Sequence, residues 1–314
     1  MRAVTFNDGD LTVADHPDPV PEHGEILVSV RGAGLNGADI LQRKGGYPAP
    51  PGAPKDIPGL ELAGEVVALG PGAERFAKGD RVTAIAAGGG QAELAVLHER
   101  AAMPVPDGLD WAAAGGLSEV FVTGHDALFT QGGLRPGERL LVHGAAGGVG
   151  TAAVQMGCLA GARVTATVRN ADLRDGVADM GAEVIEPEGF ADHGPFDVIL
   201  ELVGGPNLPD DVKALRTGGR IVVIGVGGGP KAELNLLALM GKRGAIRAST
   251  LRARPLEEKA VAMRRVEAEL LPHFESGRIR VPVADSFDLE DAEQAYDRFT
   301  AGGKLGKVVL TMGA

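Results

Sequence analysis

The sequence predicts an α/β protein of two domains: a discontinuous β-rich domain assembled from both ends of the chain, and between them a doubly wound parallel sheet. Three observations lead there. At roughly 150 residues per domain, 314 residues leave room for two cores. From about Arg139 short apolar runs alternate with longer helical patterns, the texture of βαβ units. Before that point the apolar runs are short and punctuated by turn clusters, and the C-terminal end closes on another strand.

In chain order, strand patterns occur at ILVSV (26–30), GEVVALG (64–70), RVTAI (81–85) and ELAVL (93–97), divided by clusters such as Pro48-Ala49-Pro50-Pro51-Gly52 and Gly88-Gly89-Gly90. RLLVH then opens the alternating region, followed by a glycine-rich turn, the helical pattern VGTAAVQMGCLAG and the strand ARVTATV. A helix near 171–180, FDVILELVG, a helix near 207–215, RIVVIGVG and AIRAS complete it. Five strands in this order, one short of the full six, match two mononucleotide-binding halves. The charged helix EEKAVAMRRVEAELLPHF, VPVADSFDL, the short helix DAEQAYDRFTAG and the strand KVVLT are expected to fold back onto the first region. The boundaries expected are 1–120 with 263–314 for the β-rich domain and 121–262 for the other.

Composition excludes several function classes. With 31 Lys+Arg against 42 Asp+Glu the formal charge is −11, and 44% of residues are hydrophobic, which fits neither a disordered nor a polybasic chain. A net-negative surface argues against nucleic acid or anionic lipid as the main partner. The single cysteine, Cys158, allows no intrachain disulfide and no multi-cysteine zinc knot, so a reducing cytoplasmic compartment fits. No stretch of 18 uncharged apolar residues occurs, and no membrane span is expected.

The strongest local signal is His143-Gly144-Ala145-Ala146-Gly147-Gly148-Val149-Gly150, between an expected strand and an expected helix. Ala145, Gly147 and Gly150 reproduce the one, three, six spacing of small residues that a dinucleotide turn needs. Such a turn is tight, exposes backbone to a pyrophosphate, and ends on a helix start whose free N–H groups and dipole favour anions. Ala146, Gly147, Gly148 and Val149 are the candidate contacts, and Gly225, at the end of RIVVIGVG, is placed with them. At the end of the second strand, an acid would select NAD and a cation the 2′-phosphate of NADP. The chain reads Ala166-Thr167-Val168-Arg169-Asn170, so Arg169 favours NADPH. The plain alternative is a solvated strand-end charge.

Further stretches then carry a family resemblance over nearly the whole chain: Gly34-Leu35-Asn36-Gly37-Ala38-Asp39 with Arg43 and Tyr47-Pro48, PGLELAGEVVALGPG (58–72), GDRV (79–82), LVHGAAGGVG (141–150), IRASTLRARP (246–255) and GKVVL (306–310). The sequence resembles the zinc-independent medium-chain dehydrogenase/reductases, in the quinone oxidoreductase (zeta-crystallin-like) family, its p53-inducible branch above all. Zinc-containing relatives carry Cys where Gly37 stands, His where Leu60 stands, and a four-cysteine lobe, none of which is present. The seven histidines include no closely spaced pair of metal-ligand type, and no metal is expected.

The resemblance implies a GroES-like substrate domain, a Rossmann cofactor domain, and NADPH in the cleft between them with its nicotinamide facing Asn36 and Tyr47. Asn36 and Tyr47 are the catalytic candidates, the Tyr47 phenol as a donor to a substrate oxygen. Asn36, Thr123 and Lys307 are cofactor contacts on the same ground. The implied activity is reduction of a quinone without zinc. An enone or enoyl reductase and a non-catalytic NADPH-binding protein are the alternatives. A homodimer joined at the cofactor-domain sheet edge, through RGAIRAS, is also implied. Two positions depart from the family: Gln91, where Tyr is frequent, and Asp172, where a base is, which leaves Arg169 or Arg174 to meet a phosphate. Glu61, between Leu60 and Leu62, needs a partner if buried. Cys158 reads as a packing residue.

Overall fold

The computed structural model describes residues 1–7 and 9–313. The chain forms two compact units: residues 1–122, 251–302 and 307–313 make the first, and residues 123–250 with 303–306 the second.

The first unit opens with strands β1 (Arg2–Asn7) and β2 (Asp10–Asp15), an antiparallel hairpin. β3 (Glu25–Gly34), helix α1 (Gly37–Arg43), β4 (Glu61–Leu69), β5 (Arg81–Ile85), β6 (Leu94–His98), β7 (Ala102–Pro104), α2 (Trp111–Gly115) and α3 (Ser118–His125) follow, and the chain crosses to the second unit within α3. That unit contains β8 (Arg139–Val142), α4 (Gly148–Leu159), β9 (Arg163–Thr167), α5 (Arg174–Ala178), β10 (Glu183–Ile185), β11 (Phe196–Glu201), α6 (Leu208–Ala214), β12 (Leu215–Val223), α7 (Leu236–Lys242) and β13 (Ala245–Ala248). α8 (Leu256–Glu275), β14 (Val283–Asp288), α9 (Ala292–Ala301) and β15 (Lys307–Thr311) return to the first.

In the first unit the sheet runs β14-β15-β3-β4-β5-β7, with β6 also on β3. β3 is its longest strand, and its EILVSVR stretch alternates strictly: Ile26, Val28 and Val30 point into the core. β15 is buried along nearly its whole length because it is flanked by β14 and β3. α8 presents Ala260, Met263, Val266, Leu270 and Phe274 as one buried stripe, and Phe274 meets Phe121 edge-on at 4.8 Å. All of α8 therefore belongs to the first unit, whose second segment begins at Leu251 and not at the expected 263. The short Gly303–Gly306 stretch goes to the second unit, where the Gly306 N–H donates to the Ala146 carbonyl at 2.8 Å.

The second unit is the doubly wound sheet read from the sequence. Its order is β10-β9-β8-β11-β12-β13 and every pair is parallel. In order of appearance this is 3-2-1-4-5-6, so the connection reverses between β8 and β11, and ligands bind at the carboxyl ends of strands beside such a reversal. Leu141, Phe196, Ile199, Leu215 and Ile221 fill one core of this sheet. α4 is built from small residues and packs against β8, with Ala152, Ala153, Val154 and Met156 almost wholly buried.

Candidate functional site

The glycine turn follows β8 in the second unit. Gly144 has φ +61°, the left-handed region that glycine adopts without strain. Gly147 caps α4 and closes a tight turn by donating to the Gly144 carbonyl at 3.1 Å. A Cβ on Gly150 would lie 2.5 Å from the Gly144 oxygen and 2.6 Å from Ala145 Cα, so only glycine lets the helix start against the turn. Ala146, Gly147, Gly148 and Val149 are partly exposed here, at the start of a helix whose first N–H groups have no intrahelical acceptor. Gly225, just beyond β12, is equally constrained: a Cβ there would lie 2.3 Å from the Leu202 oxygen. Bare backbone at a helix start beside the reversal fits a dinucleotide pyrophosphate. Thr123 begins this unit and is half-buried.

The two candidate cations after β9 separate clearly. Arg174 is committed, Nε to the Val168 carbonyl at 3.2 Å and Nη1 to Glu186 at 2.9 Å. Arg169 is exposed and has no partner among the described residues. Asp172 lies in the turn that Asn170 caps through its side chain, 3.1 Å from the Asp172 N–H.

In the first unit Asn36, Glu61 and Lys307 form one buried network. The Lys307 ammonium donates to Glu61 Oε1 at 2.6 Å, the Leu35 carbonyl at 2.6 Å and Asn36 Oδ1 at 2.8 Å. Asn36 Nδ2 donates to Glu61 Oε1 at 3.0 Å and the Gly34 carbonyl at 3.2 Å, and the Glu119 N–H donates to Glu61 Oε2 at 2.9 Å. All three hydrogens of Lys307 are thus engaged inside this unit. The lysine that the resemblance assigns to the cofactor neutralises Glu61, which answers the burial problem raised by the Leu60-Glu61-Leu62 sequence. The same network fixes the Asn36 amide, whose polar atoms are likewise engaged. Gly37 has open space beside its Cα and Leu60 is buried and apolar, so neither of these two positions offers a metal donor.

Tyr47 lies on the loop after α1, half-exposed, with the Arg252 guanidinium 5.3 Å from its ring centre. Arg252 is itself only 4% exposed and donates to three acceptors: the Tyr47 carbonyl at 3.0 Å, the Ala87 carbonyl at 2.8 Å and Gln42 Oε1 at 2.7 Å. Sequence reading passed over Arg252, although it lies in the quoted IRASTLRARP stretch. Burial, and then the Glu119 charge, raise the Tyr47 phenol above its ordinary range, with Arg252 opposing them, so at neutral pH it keeps its proton and can donate. Asp39, fully buried in α1, accepts from the Asn36 N–H at 2.8 Å and the Gly59 N–H at 3.2 Å. Burial raises its carboxyl to about 6 against the pull of those N–H groups and of Lys307. Gln91 is wholly buried, and its Oε1 accepts from the Tyr296 hydroxyl at 2.8 Å. Cys158 is partly buried, and burial raises its thiol.

One group of residues was missed entirely by sequence reading. His143, Glu201 and Asp211, at the ends of β8 and β11 and within α6, meet under the turn with no solvent exposure. His143 Nε2 lies 2.9 Å from Asp211 Oδ1 and 4.0 Å from Glu201 Oε2, and its Nδ1 lies 3.0 Å from Thr167 Oγ1. The partners are distant in sequence, and the only available signal was polar residues at the ends of apolar strands.

Comparison with known proteins adds the following. Two family models match: "Alcohol dehydrogenase GroES-like domain" over residues 22–130 and "Zinc-binding dehydrogenase" over residues 175–310. The quinone oxidoreductase of Rattus norvegicus is 31% identical over 99% of this chain and 98% of its own. The structure of the quinone oxidoreductase of Thermus thermophilus, described also in complex with NADPH, superposes with a TM-score of 0.86 at 31% identity, covering 99% of this chain and all of that one. A stretch of the polyketide synthase GfsB of Streptomyces halstedii is 34% identical over 93% of this chain, though it is 5% of that protein.

Proposed function

The chain belongs to the medium-chain dehydrogenase/reductase superfamily, among the quinone oxidoreductases, and on that premise we propose that it reduces quinones with NADPH and without catalytic zinc. The observation that carries this reading is the buried Asn36–Glu61–Lys307 network beside Gly37 and Leu60. Glycine and leucine stand where zinc-containing relatives have ligands, no group of three metal donors lies there among the described residues, and an internal ammonium balances Glu61. Charge developing on an acceptor must then be met by hydrogen-bond donors. Quinones suit such a site, because two-electron reduction yields an aromatic diolate over which the incoming charge is delocalised before protonation.

The second unit is assigned to the cofactor: Ala146, Gly147, Gly148 and Val149 to the pyrophosphate, Arg169 to the 2′-phosphate, and Gly225 and Thr123 as further contacts. Bound NADPH supplies the hydride. Tyr47 donates its phenolic hydrogen bond to the quinone oxygen on which charge builds, and one proton from solvent completes the hydroquinone. Asn36, locked by Lys307 and Glu61, keeps a fixed polar surface on the substrate side. Lys307 and Arg252 act through Asn36 and Tyr47.

The test is the initial rate of NADPH and NADH oxidation with 1,4-benzoquinone, for the wild type and Arg169→Ala. The wild type is expected to prefer NADPH. The variant loses about ten- to a hundredfold in kcat/KM for NADPH, the worth of a charge-assisted contact of about 1.5–3 kcal/mol, with little change for NADH. Equal use of both coenzymes by the wild type, or no effect of the substitution, overturns the NADPH assignment. The polyketide synthase match favours a second reading, reduction of a conjugated carbon–carbon double bond, which the choice of acceptor separates.

A further inference from the structure

We propose, on the reading of the second unit as the coenzyme unit, that His143, Asp211 and Glu201 are positioning residues of the coenzyme site, acting through one proton that Asp211 holds toward Glu201 and that coenzyme binding requires. Asp211 is hydrogen-bonded to both neighbours: His143 Nε2 lies 2.9 Å from its Oδ1, and Glu201 is its other side-chain partner. Two carboxyl groups form a hydrogen bond only when one of them carries a proton. Glu201 is the acceptor of the two, since its Oε1 takes the N–H groups of Val203 and Gly204, the latter at 2.7 Å, and its Oε2 takes Asn207 Nδ2 at 3.0 Å. Asp211 is the donor: among the described residues no group donates to its buried Oδ2, which leaves that oxygen for the proton. His143 then stays neutral, giving its Nε2 hydrogen to Asp211 and taking the Thr167 hydroxyl on Nδ1 at 3.0 Å.

Glu201 in turn holds the wall of the glycine turn. Its two backbone partners bend the chain at the end of β11, where Gly204 has φ +115° and the Gly205 N–H donates to the Gly229 carbonyl at 2.8 Å. This bend lies against both bare-backbone positions of the site: a Cβ on Gly144 would meet Val203 Cγ2 at 3.5 Å, and one on Gly225 would meet the Leu202 oxygen at 2.3 Å. His143 directly precedes Gly144, so the cluster also holds the turn at its start. With the proton in place the cluster carries one negative charge, spread over the three donors to Glu201. Without it two buried carboxylates face each other, and the groups acting most on them, His143 from β8 and Asp210 beside Asp211 on α6, include no lysine or arginine. Phe190 and Thr167, packed on His143 from other elements, are uncharged. Burial raises Asp211 to about 7 and raises Glu201 too, while it lowers His143 to about 4, so the imidazole carries no balancing charge near neutral pH. Repulsion then parts the two acids and loosens the bend.

The experiment is titration of the full chain with NADPH, followed by coenzyme fluorescence, between about pH 6.5 and about pH 8.5, for the wild type and Asp211→Asn. The wild-type dissociation constant is expected to rise with pH by at least about fivefold, and by about twentyfold if the proton is strictly required and leaves near pH 7. The 2′-phosphate, whose second pKa is about 6, gains charge in the opposite sense and does not produce such a rise. Asparagine keeps a neutral side chain with an N–H for Glu201 and an oxygen for His143, so the variant should show no rise and should bind NADPH tighter than the wild type at the alkaline end. By linkage, NADPH binding to the wild type near pH 8 should take up about one proton in weakly buffered solution, a measurement that keeps the test decisive if the variant does not fold. A wild-type constant that changes less than about fivefold, a rise that persists in folded Asp211→Asn, or binding without proton uptake overturns the proposal. Absence of NADPH binding across the whole range overturns the coenzyme reading itself, a result distinct from binding that ignores pH.

Discussion

At the scale of single residues, environment sets chemistry more than residue type does. Arg169 and Arg174 are five residues apart in a stretch where sequence could not choose between them, and the ion pair of Arg174 with Glu186 is what favours Arg169 as the proposed phosphate contact. Asp39 shows the opposite effect, a carboxylate whose burial works against its charge. Its carboxyl is raised to about 6 in the folded chain, so between about pH 4 and pH 6 the native state binds more protons than the unfolded one. Stability contributed at this position therefore falls as pH rises through that window. The span of about two pH units corresponds to about 3 kcal/mol at most. In urea unfolding, the destabilisation caused by Asp39→Asn should accordingly shrink as pH rises from 4 to 7. A cost that stays constant across this range would show that Asp39 ionises in the native state as it does in the unfolded one.

At the scale of elements, the strands were the legible part. RVTAI and KVVLT occupy 81–85 and 307–311 as read, since both are short apolar runs set off by charged and glycine-rich neighbours. The glycine turn was legible for a physical reason as well: bare backbone is required at Gly144, Gly150 and Gly225, and glycine alone supplies it. What joins elements to one another was not legible. The ends of β4 and β15 are locked by Glu61 and Lys307, residues far apart in sequence, and each alone reads as an ordinary charge. Similarly, α8 crosses the expected boundary at 263 because its apolar stripe packs in the first unit over its whole length. Lys307→Met leaves Glu61 buried and uncompensated and should cost about 3–5 kcal/mol in urea unfolding. Lys307→Met with Glu61→Gln should recover much of that loss. A double variant whose cost is the sum of the two single costs would mean that the pair is not coupled.

At the scale of the whole molecule, two units with different sheets divide the proposed tasks, and among the described residues no helix is long and apolar enough to cross a membrane. β13 is the outer strand of the parallel sheet, with Ala245, Arg247 and Ala248 exposed, and α7 nearby exposes Leu236, Leu237 and Met240 by 64%, 76% and 70%. An open strand edge beside exposed leucines and a methionine is suited to a second copy of the chain. We propose a homodimer formed there. Light scattering at micromolar concentration should give twice the chain mass, and Leu237→Lys with Met240→Lys should give one chain mass; a monomeric wild type would contradict the proposal. The central claim, however, is chemical, and turnover with 1,4-benzoquinone compared with a 2-alkenal under NADPH tests it most directly. The account predicts efficient reduction of the quinone, little of the alkenal, and a loss of about a hundredfold in kcat on Tyr47→Phe. Turnover of the alkenal alone, or quinone turnover indifferent to Tyr47→Phe, would contradict it.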